Sequence, residues 1–264
     1  MSTELVAETL IPLSVKERKE LILDHASLID VSHITDKDLH KAYKYGKIIS
    51  LIAPAYFQYQ IEQDRQNGSV LELDRQSQLI ASKTEKFADD FIEWLKVDFE
   101  KKGEILEDHP NPRNLFELCG AKLLVTSNSV TRSLSTKMGN LWEAIANISP
   151  YIIIPVVEFD IQIKGIDIIL LAEENIKFAQ LKTLKGTLTG SQVNRAKKEL
   201  EIHDSSLFIA AFNLGDWTFK DNKIPRLAGK EFWNLIHIEY NLVEYHVRNM
   251  LQKIDAAFTK LAAK

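Results

Sequence analysis

The chain has 264 residues, of which 45% are hydrophobic and 27% are charged, values typical of a globular protein long enough to bury a core. Its net charge of -4 excludes a generally polyanion-binding chain, so any nucleic-acid contact requires a local basic patch. The single cysteine, Cys119, excludes an internal disulfide framework and a cysteine-based zinc site.

The beginning of the chain has neither a basic segment nor a long apolar run, so we expect no signal peptide. The longest apolar run nearby, around residues 151–157, is far too short to span a bilayer. We therefore expect a soluble cytoplasmic protein without membrane contacts.

Helical patterns dominate the first part of the chain. A short helix is predicted near Ser14, and apolar residues recur at helical spacing from Asp36 to Pro54, where we expect a bend or a restart. A long amphipathic helix is predicted from about residue 71 to residue 101. We therefore predict a helical N-terminal subdomain over residues 1–105 and a second domain over residues 106–264.

A hydroxyl-rich basic segment precedes the next predicted helix. It is read as a loop or a helix start, and Arg132 and Lys137 give it the capacity to bind phosphates. Ser135 is the predicted N-cap of a helix over residues 136–148. Glu143 lies at the edge of the apolar stripe of that helix.

Residues 165–183 predict two strands joined by a tight turn. The segment upstream, from residue 151, is rich in β-branched residues, and Gly165 marks a bulge or a bend. Residues 166–171 are apolar, whereas residues 176–183 alternate between apolar and polar side chains. The two runs are therefore interpreted as a β-hairpin.

The hairpin brings three polar side chains together. Gln180 and Lys182 share one face because they are two residues apart on a strand. If the hairpin folds about Glu173 and Glu174, Asp167 lies opposite Gln180. A buried carboxylate and a buried lysine are costly unless they are paired or bound to a metal, and phosphodiester chemistry is one explanation for them.

The segment after the hairpin is basic. Five basic residues and no acidic residue occur between Lys182 and Lys198, and a helix is predicted over residues 191–203. Cations there suit a phosphate backbone, and amide and guanidinium side chains suit base edges. The predicted contacts in this segment are Lys185, Gln192, Asn194 and Arg195. A buried strand over residues 207–212, parallel to an earlier strand, and a last helix over residues 240–261 complete the chain.

An Asp followed about a dozen residues later by x-x-Lys on the next strand resembles the PD-(D/E)XK nucleases, of which type II restriction endonucleases form the largest group. Here the pattern consists of Asp167, Gln180 and Lys182; Ile166 stands where the family usually has Pro, and Gln180 where it has Asp or Glu. The resemblance implies that Asp167 binds a divalent metal. It also implies that Lys182 positions or helps to deprotonate the attacking water.

The same resemblance implies an α/β fold with a restriction-endonuclease-like core, in which a mixed central sheet is flanked by helices. A helix before the catalytic strands commonly carries a metal-directed glutamate in this family, which identifies Glu143 as a further ligand beside the carbonyl oxygen of Gln180. The implied function is Mg²⁺-dependent, sequence-specific cleavage of double-stranded DNA within a restriction-modification system. A homodimer is expected because a palindromic site is cut most simply by a two-fold symmetric enzyme.

Three alternatives stay open at this point. A nuclease of the same fold that acts in repair or recombination would cut by structure. A catalytically inactive DNA-binding relative is suggested by the neutral Gln180. In a helical interaction protein, Asp167 and Lys182 would form a structural ion pair only.

Overall fold

The computed structural model describes the backbone of residues 6–108 and 122–263 and the side chains of residues 6–100 and 125–263. Cys119 lies outside the described residues. Within them, the helices in chain order are α1 (Ala7–Leu10), α2 (Val15–Ser27), α3 (His40–Gln66), α4 (Leu73–Asp108), α5 (Lys122–Ala146), α6 (Pro155–Phe159), α7 (Gly190–Glu201), α8 (Lys230–Leu235) and α9 (Tyr240–Ala262). A 3₁₀ turn over Lys37–Leu39 precedes α3. The strands are β1 (Ile152–Ile153), β2 (Ile168–Ala172), β3 (Asn175–Leu184), β4 (Ser206–Phe212) and β5 (Arg226–Ala228).

The described residues form two compact units. The first comprises the chain up to Gln76 together with Trp142–Tyr240, and the second comprises Ser77–Leu141 and Asn241–Lys264. These units do not divide at the predicted boundary near residue 105. The sheet belongs to the first unit, so the coarse expectation of an α/β fold with a mixed sheet and flanking helices is confirmed.

The sheet has five strands in the spatial order β1-β2-β3-β4-β5. Strands β1, β2 and β3 pair antiparallel, whereas β3, β4 and β5 pair parallel. Helix α7 connects β3 to β4, as a parallel pair requires a crossover. The prediction that residues 207–212 form a buried strand parallel to an earlier one is therefore confirmed.

A two-residue turn closes the β2–β3 hairpin. Ala172 pairs with Asn175, and both intervening residues, Glu173 (φ 49°) and Glu174 (φ 65°), are in the left-handed region, as a type I′ turn requires. The register continues to the pair Ile168–Ala179. The predicted folding of the hairpin about the two glutamates is thus confirmed.

One apolar core joins the N-terminal helices to the sheet in the first unit. Helix α3 contributes Ile49, Ile52 and Phe57, which belong to the same buried cluster as Ile169 and Phe178 of the hairpin. The periodicity of a helix predicts its buried face, but it does not say which partner covers that face. The sequence therefore predicts a separate helical subdomain over residues 1–105, whereas the described helices up to Gln76 belong to the same unit as the sheet.

A partly buried polar group also links these helices. The guanidinium of Arg18 donates to the Leu10 carbonyl (3.1 Å) and the Ile11 carbonyl (2.9 Å), and its Nη1 donates to the Tyr56 hydroxyl (2.7 Å). That hydroxyl donates to Glu158 Oε2 (2.5 Å). We call Arg18, Tyr56 and Glu158 the anchor cluster, because it links α2, α3 and α6.

The predicted N-cap at Ser135 is wrong, and the third helix does not restart at Pro54. Pro54 lies inside α3, which continues through it to Gln66. Ser135 is not an N-cap, because α5 begins at Lys122 and Ser135 lies within it. The hydroxyls of this segment bond back to helix carbonyls, as Thr131 does to Ser127 O (2.9 Å), so a hydroxyl-rich run remains helical.

The β-rich interpretation of residues 151–171 is correct only at its two ends. Between β1 and β2, Pro155 occupies the first turn of the short helix α6, a position that proline favours. Gly165 (φ 80°) lies in a tight turn in which Ile166 N donates to Ile163 O (3.0 Å). The predicted bend at Gly165 is therefore confirmed.

The second unit contains only helical segments among the described residues. Its parts of α4 and α9 meet through the Phe99–Phe258 ring contact (5.6 Å) and the Asp89–Lys253 ion pair (2.5 Å). Over residues 6–108 and 122–263, no helix combines the length and the apolar character that a membrane span needs.

Candidate functional site

Two of the polar side chains predicted to meet at the open end of the hairpin form an ion pair. Asp167 directly precedes β2, and its backbone N–H donates to Ala179 O (2.9 Å). Its Oδ2 accepts from the backbone N–H of Leu181 (2.8 Å) and lies 3.2 Å from Lys182 Nζ. Both side chains are about one-quarter exposed (Lys182 23%, Asp167 26%), so they are accessible to a ligand and still partly desolvated.

Gln180 contributes an oxygen without a partner. Gln180 follows Ala179, and Asp167 precedes Ile168, so the register brings the two residues next to each other across the hairpin. The Oε1 atom of Gln180 is buried and makes no hydrogen bond. An unsatisfied buried acceptor costs about 1–3 kcal/mol, so its retention calls for an explanation such as an absent ligand.

Glu143, on α5, joins the same electrostatic environment. Burial, followed by the negative charge of Asp167, raises the pKa of Glu143 to about 7, and the ammonium of Lys182 acts in the opposite direction. Within the described part of the chain, no hydrogen bond reaches its carboxyl group. Together, Glu143, Asp167, Gln180 and Lys182 form what we call the hairpin cluster.

A buried indole fixes the end of α5 to the hairpin. Trp142 is fully buried, and its Nε1 donates to the Thr183 hydroxyl (2.9 Å). The indole also packs edge-on against Phe212 of β4 (5.2 Å). Trp142 precedes Glu143, and Thr183 follows Lys182, so this single bond sets the position of one side chain of the cluster relative to another.

The donor set of the hairpin cluster fits a Mg²⁺-like cation. Asp167 and Gln180 are neighbours across the hairpin, and the carboxyl group of Glu143 is electrostatically coupled to Asp167. Mg²⁺ typically takes one or two carboxylates and keeps water or phosphate oxygens as its other ligands. No group of three or more His, Cys, Asp or Glu side chains with metal-binding geometry occurs among the described residues. The third oxygen donor of the set is therefore the amide of Gln180 and not an acidic side chain.

The predicted DNA-contacting residues are distributed over both units. Arg132 and Lys137 are exposed on the part of α5 that belongs to the second unit. The others lie in the first unit, where Lys185 follows β3 and Gln192, Asn194 and Arg195 are on α7. The six predicted DNA contacts therefore lie in two different units of the structure.

Part of the predicted basic patch is neutralised by ion pairs. Lys182 pairs with Asp167, Arg195 with Glu199 (2.7 Å), and Lys197 with Asp221 (3.1 Å). The amide oxygen of Gln192 is also engaged, because it accepts from the backbone N–H of Thr189 at the start of α7 (2.8 Å). The segment itself contains no acidic residue, but carboxylates outside it neutralise part of its positive charge, so its sequence overstates that charge.

Sequence reasoning missed Trp142, Thr183 and Glu199. The hydrogen-bonded pair Trp142–Thr183 joins positions 41 residues apart, and nothing in either local pattern indicates the other. Glu199 reads as one charged residue on an amphipathic helix, yet it is 2% exposed. Its spacing of four from Arg195 was the available signal, since side chains at that spacing meet on a helix.

Comparison of the chain with protein-family models, with curated proteins and with solved structures gave no match. The interpretation of the hairpin cluster therefore depends on its own geometry and chemistry.

Proposed function

We propose that this protein is a Mg²⁺-dependent endonuclease that hydrolyses phosphodiester bonds of double-stranded DNA in a sequence-specific manner, as a type II restriction endonuclease does. The observation that carries the proposal is the hairpin cluster: a lysine held by a carboxylate, a second carboxyl group, and a buried carbonyl oxygen without a partner. Its chemistry suits a polyanionic substrate and a divalent cation better than it suits an apolar ligand.

The residues of the hairpin cluster have different roles in the proposed reaction. Asp167, Glu143 and the carbonyl oxygen of Gln180 would hold the cation, which when bound supplies Lewis-acid polarisation of the scissile phosphate and lowers the pKa of a bound water. Asp167 Oδ2 is occupied by Leu181 N and Lys182 Nζ, whereas Oδ1 accepts no hydrogen bond from the described residues and remains for a ligand.

Lys182 orients the attacking water and offsets the negative charge that develops on the phosphoryl oxygens. The water oxygen loses a proton to solvent and forms a bond to phosphorus, while the bond from phosphorus to the leaving sugar oxygen breaks and that oxygen takes a proton from solvent. The ion pair with Asp167 holds the ammonium in place before the substrate arrives, so little reorganisation is needed during the reaction.

Incubation with long phage DNA and Mg²⁺ tests this function. We expect discrete fragments from the parent protein and from Lys177→Ala, and a fall in rate of about 10²–10³-fold in Lys182→Ala. Lys177 is the matched control because it lies on the same strand and bonds to Ser205 Oγ (3.2 Å), outside the cluster. If the parent protein neither cleaves nor binds DNA, the proposal is refuted. A smear of fragments would favour a structure-specific or nonspecific nuclease.

A catalytically inactive DNA-binding protein is the second candidate. It is favoured by the neutral Gln180 and by the small number of carboxylates in the cluster. A salt-sensitive gel shift without cleavage at any Mg²⁺ or Mn²⁺ concentration would support it.

The proposal includes a homodimer in the cytoplasm as the acting form. Two copies related by a two-fold axis would present one hairpin cluster to each strand of a palindromic site. Sedimentation of the protein with and without a duplex measures that state directly.

A further inference from the structure

We propose that a second site in the first unit, built on α7 and on the turn that leads into Asp167, binds a phosphate group. The site is a cavity of about 280 Å³. Its basic and hydrogen-bonding lining residues are Lys164, Ser191, Asn194, Arg195 and Lys198. The assignment of that phosphate to nucleic acid rests on the proposed function, but the binding chemistry does not.

A buried carboxylate organises the cavity. Glu199 also lines it, is 2% exposed, and accepts from Arg195 Nε (2.7 Å) through Oε1. This contact uses the side of the guanidinium that carries Nε and leaves the two terminal nitrogens available. A carboxylate that fixes an arginine in this way reduces the side-chain entropy lost when the arginine binds an oxyanion.

The turn before Asp167 forms the opposite wall. A Cβ atom at Gly165 would collide with the side chain of Glu199, so the turn lies directly against α7 and only glycine fits there. Lys164, next to Gly165, also lines the cavity, so the turn contributes a basic residue to it. One wall of the cavity therefore belongs to the same turn that leads into Asp167, which follows Lys164 by three residues.

The charge balance favours an anion. Lys164, Arg195 and Lys198 supply three positive charges, against two negative charges from Glu199 and Asp36, which also line the cavity. Both carboxylates already have partners, since Glu199 holds Arg195 and Asp36 accepts from Asp38 N (3.0 Å). Lys164 also lies 3.7 Å from Asp38, a long and half-exposed contact that competes weakly.

A phosphate suits this cavity better than a carboxylate does. The cavity offers ammonium, guanidinium, hydroxyl and amide donors from several directions, and a phosphate presents more acceptor oxygens than a carboxylate. Planar guanidinium groups bind phosphate in a bidentate manner. Ser191 and Asn194 lie in the first part of α7, where the helix dipole also favours a negative ligand.

The experiment is a titration of the ¹⁵N-labelled protein with inorganic phosphate, followed by NMR, in parallel with salt-dependent binding of a DNA duplex without Mg²⁺. Phosphate should shift the amides of Gly165 and of residues 190–195. Lys198→Ala should weaken phosphate binding about tenfold, and Lys198→Arg should restore it. Lys16→Ala is the matched control, because Lys16 is exposed on α2 and lies outside the cavity.

The DNA measurement identifies the source of the phosphate. If the site holds a backbone phosphate, Lys198→Ala should reduce the slope of log K against log salt by about 0.9, and Lys16→Ala should leave it unchanged. Phosphate binding with an unchanged slope would support the site and assign it to a free or small-molecule phosphate. No shift of these amides by phosphate, together with an unchanged slope, would overturn the proposal.

These outcomes are independent of the nuclease proposal. A protein that binds phosphate in the cavity but neither binds nor cleaves DNA would retain the site and lose the proposed function. A protein that cleaves DNA but shows neither effect at Lys198 would retain the function and lose the site.

Discussion

The anchor cluster and the hairpin cluster are both partly buried groups with a carboxylate and a cation, and they differ in how far their hydrogen bonds are satisfied. In the anchor cluster, Arg18 donates to two backbone carbonyls and to Tyr56, and the Tyr56 hydroxyl donates to Glu158. In the hairpin cluster, Gln180 Oε1 has no partner, and the carboxyl group of Glu143 receives no hydrogen bond from the described residues.

This difference distinguishes a structural group from a candidate reaction site. Buried polar groups that serve stability are saturated, because each unsatisfied acceptor costs free energy. A site that binds a cation and a phosphate needs hydrogen-bond acceptors that the protein itself does not use. The unsatisfied acceptors destabilise the ligand-free protein until the ligands bind. The predictions below test this distinction, beginning with the largest effect.

The first prediction compares one cation from each cluster. Arg18→Met should lower the free energy of unfolding by about 3–5 kcal/mol, because it leaves Glu158 without its charge partner and removes the guanidinium donors to the Leu10 and Ile11 carbonyls. Lys182→Met should cost about 1 kcal/mol, since the Asp167 carboxylate keeps its bond from Leu181 N. Urea unfolding at pH 7 measures both values. Equal costs would contradict the distinction.

The second prediction concerns the charge of Glu143. Its folded pKa of about 7 exceeds its ordinary value of 4.5, so the folded state binds a proton more tightly than the unfolded chain does. Proton binding by Glu143 therefore stabilises the folded state. This stabilisation is greatest below pH 4.5 and is lost as the pH rises to about 7. Glu143→Gln should be more stable than the parent by roughly 1–3 kcal/mol at pH 8 in the absence of metal.

The difference between the parent and Glu143→Gln, measured by urea unfolding from pH 4 to pH 8, gives the titration of this group alone. Asp167→Asn provides the coupling control, because removal of the neighbouring negative charge should move the transition of Glu143 to lower pH. A difference that does not change with pH would contradict the predicted environment of Glu143.

The third prediction uses two glutamines. Gln180→Met replaces an amide whose oxygen has no partner, so the metal-free protein should become more stable by about 1 kcal/mol and bind Mg²⁺ more weakly. Gln76→Met should instead destabilise by about 2 kcal/mol, because the amide of Gln76 accepts from Glu239 N and donates to His237 O, both at 2.8 Å. Thermal unfolding with and without Mg²⁺ measures the two effects. A destabilised Gln180→Met would mean that its oxygen is satisfied.

The fourth prediction tests the bond that positions Glu143. Thr183→Val keeps the shape of the side chain and removes the acceptor of the Trp142 indole, at a cost of about 1 kcal/mol. If the bond sets the position of Glu143, the Mg²⁺ concentration that gives half-maximal cleavage should rise, and Thr183→Ser should restore it. A change in stability with no change in Mg²⁺ dependence would make the bond purely structural.

The sequence predicted the hairpin and its polar face because both depend on local rules. Alternation of apolar and polar residues from 176 to 183 sets the two faces of β3, and the turn sets the register that opposes Asp167 and Gln180. Glu143 was identified by resemblance alone. Its electrostatic coupling to Asp167 and Lys182 follows from the packing of α5 on the hairpin, which the local sequence does not encode.

Other features depend on contacts between distant segments and were therefore not predicted. The stripe of α3 that contains Ile49 and Ile52 suits any apolar partner, and the sequence did not show that the sheet is that partner. Likewise, the continuation of α3 through Pro54 is decided by the packing of the whole helix. Local propensity alone favoured a bend or a restart there.

The turn at Glu173 and Glu174 fixes which side chains of the hairpin share a face. Side chains alternate along β3, so a slip of one residue in its register against β2 would exchange the two faces of the strand and direct Gln180 and Lys182 away from Asp167. The two-residue turn fixes that register, because Ala172 and Asn175 pair directly on either side of it. Glu173 and Glu174 therefore decide whether the hairpin cluster forms, although neither residue belongs to it.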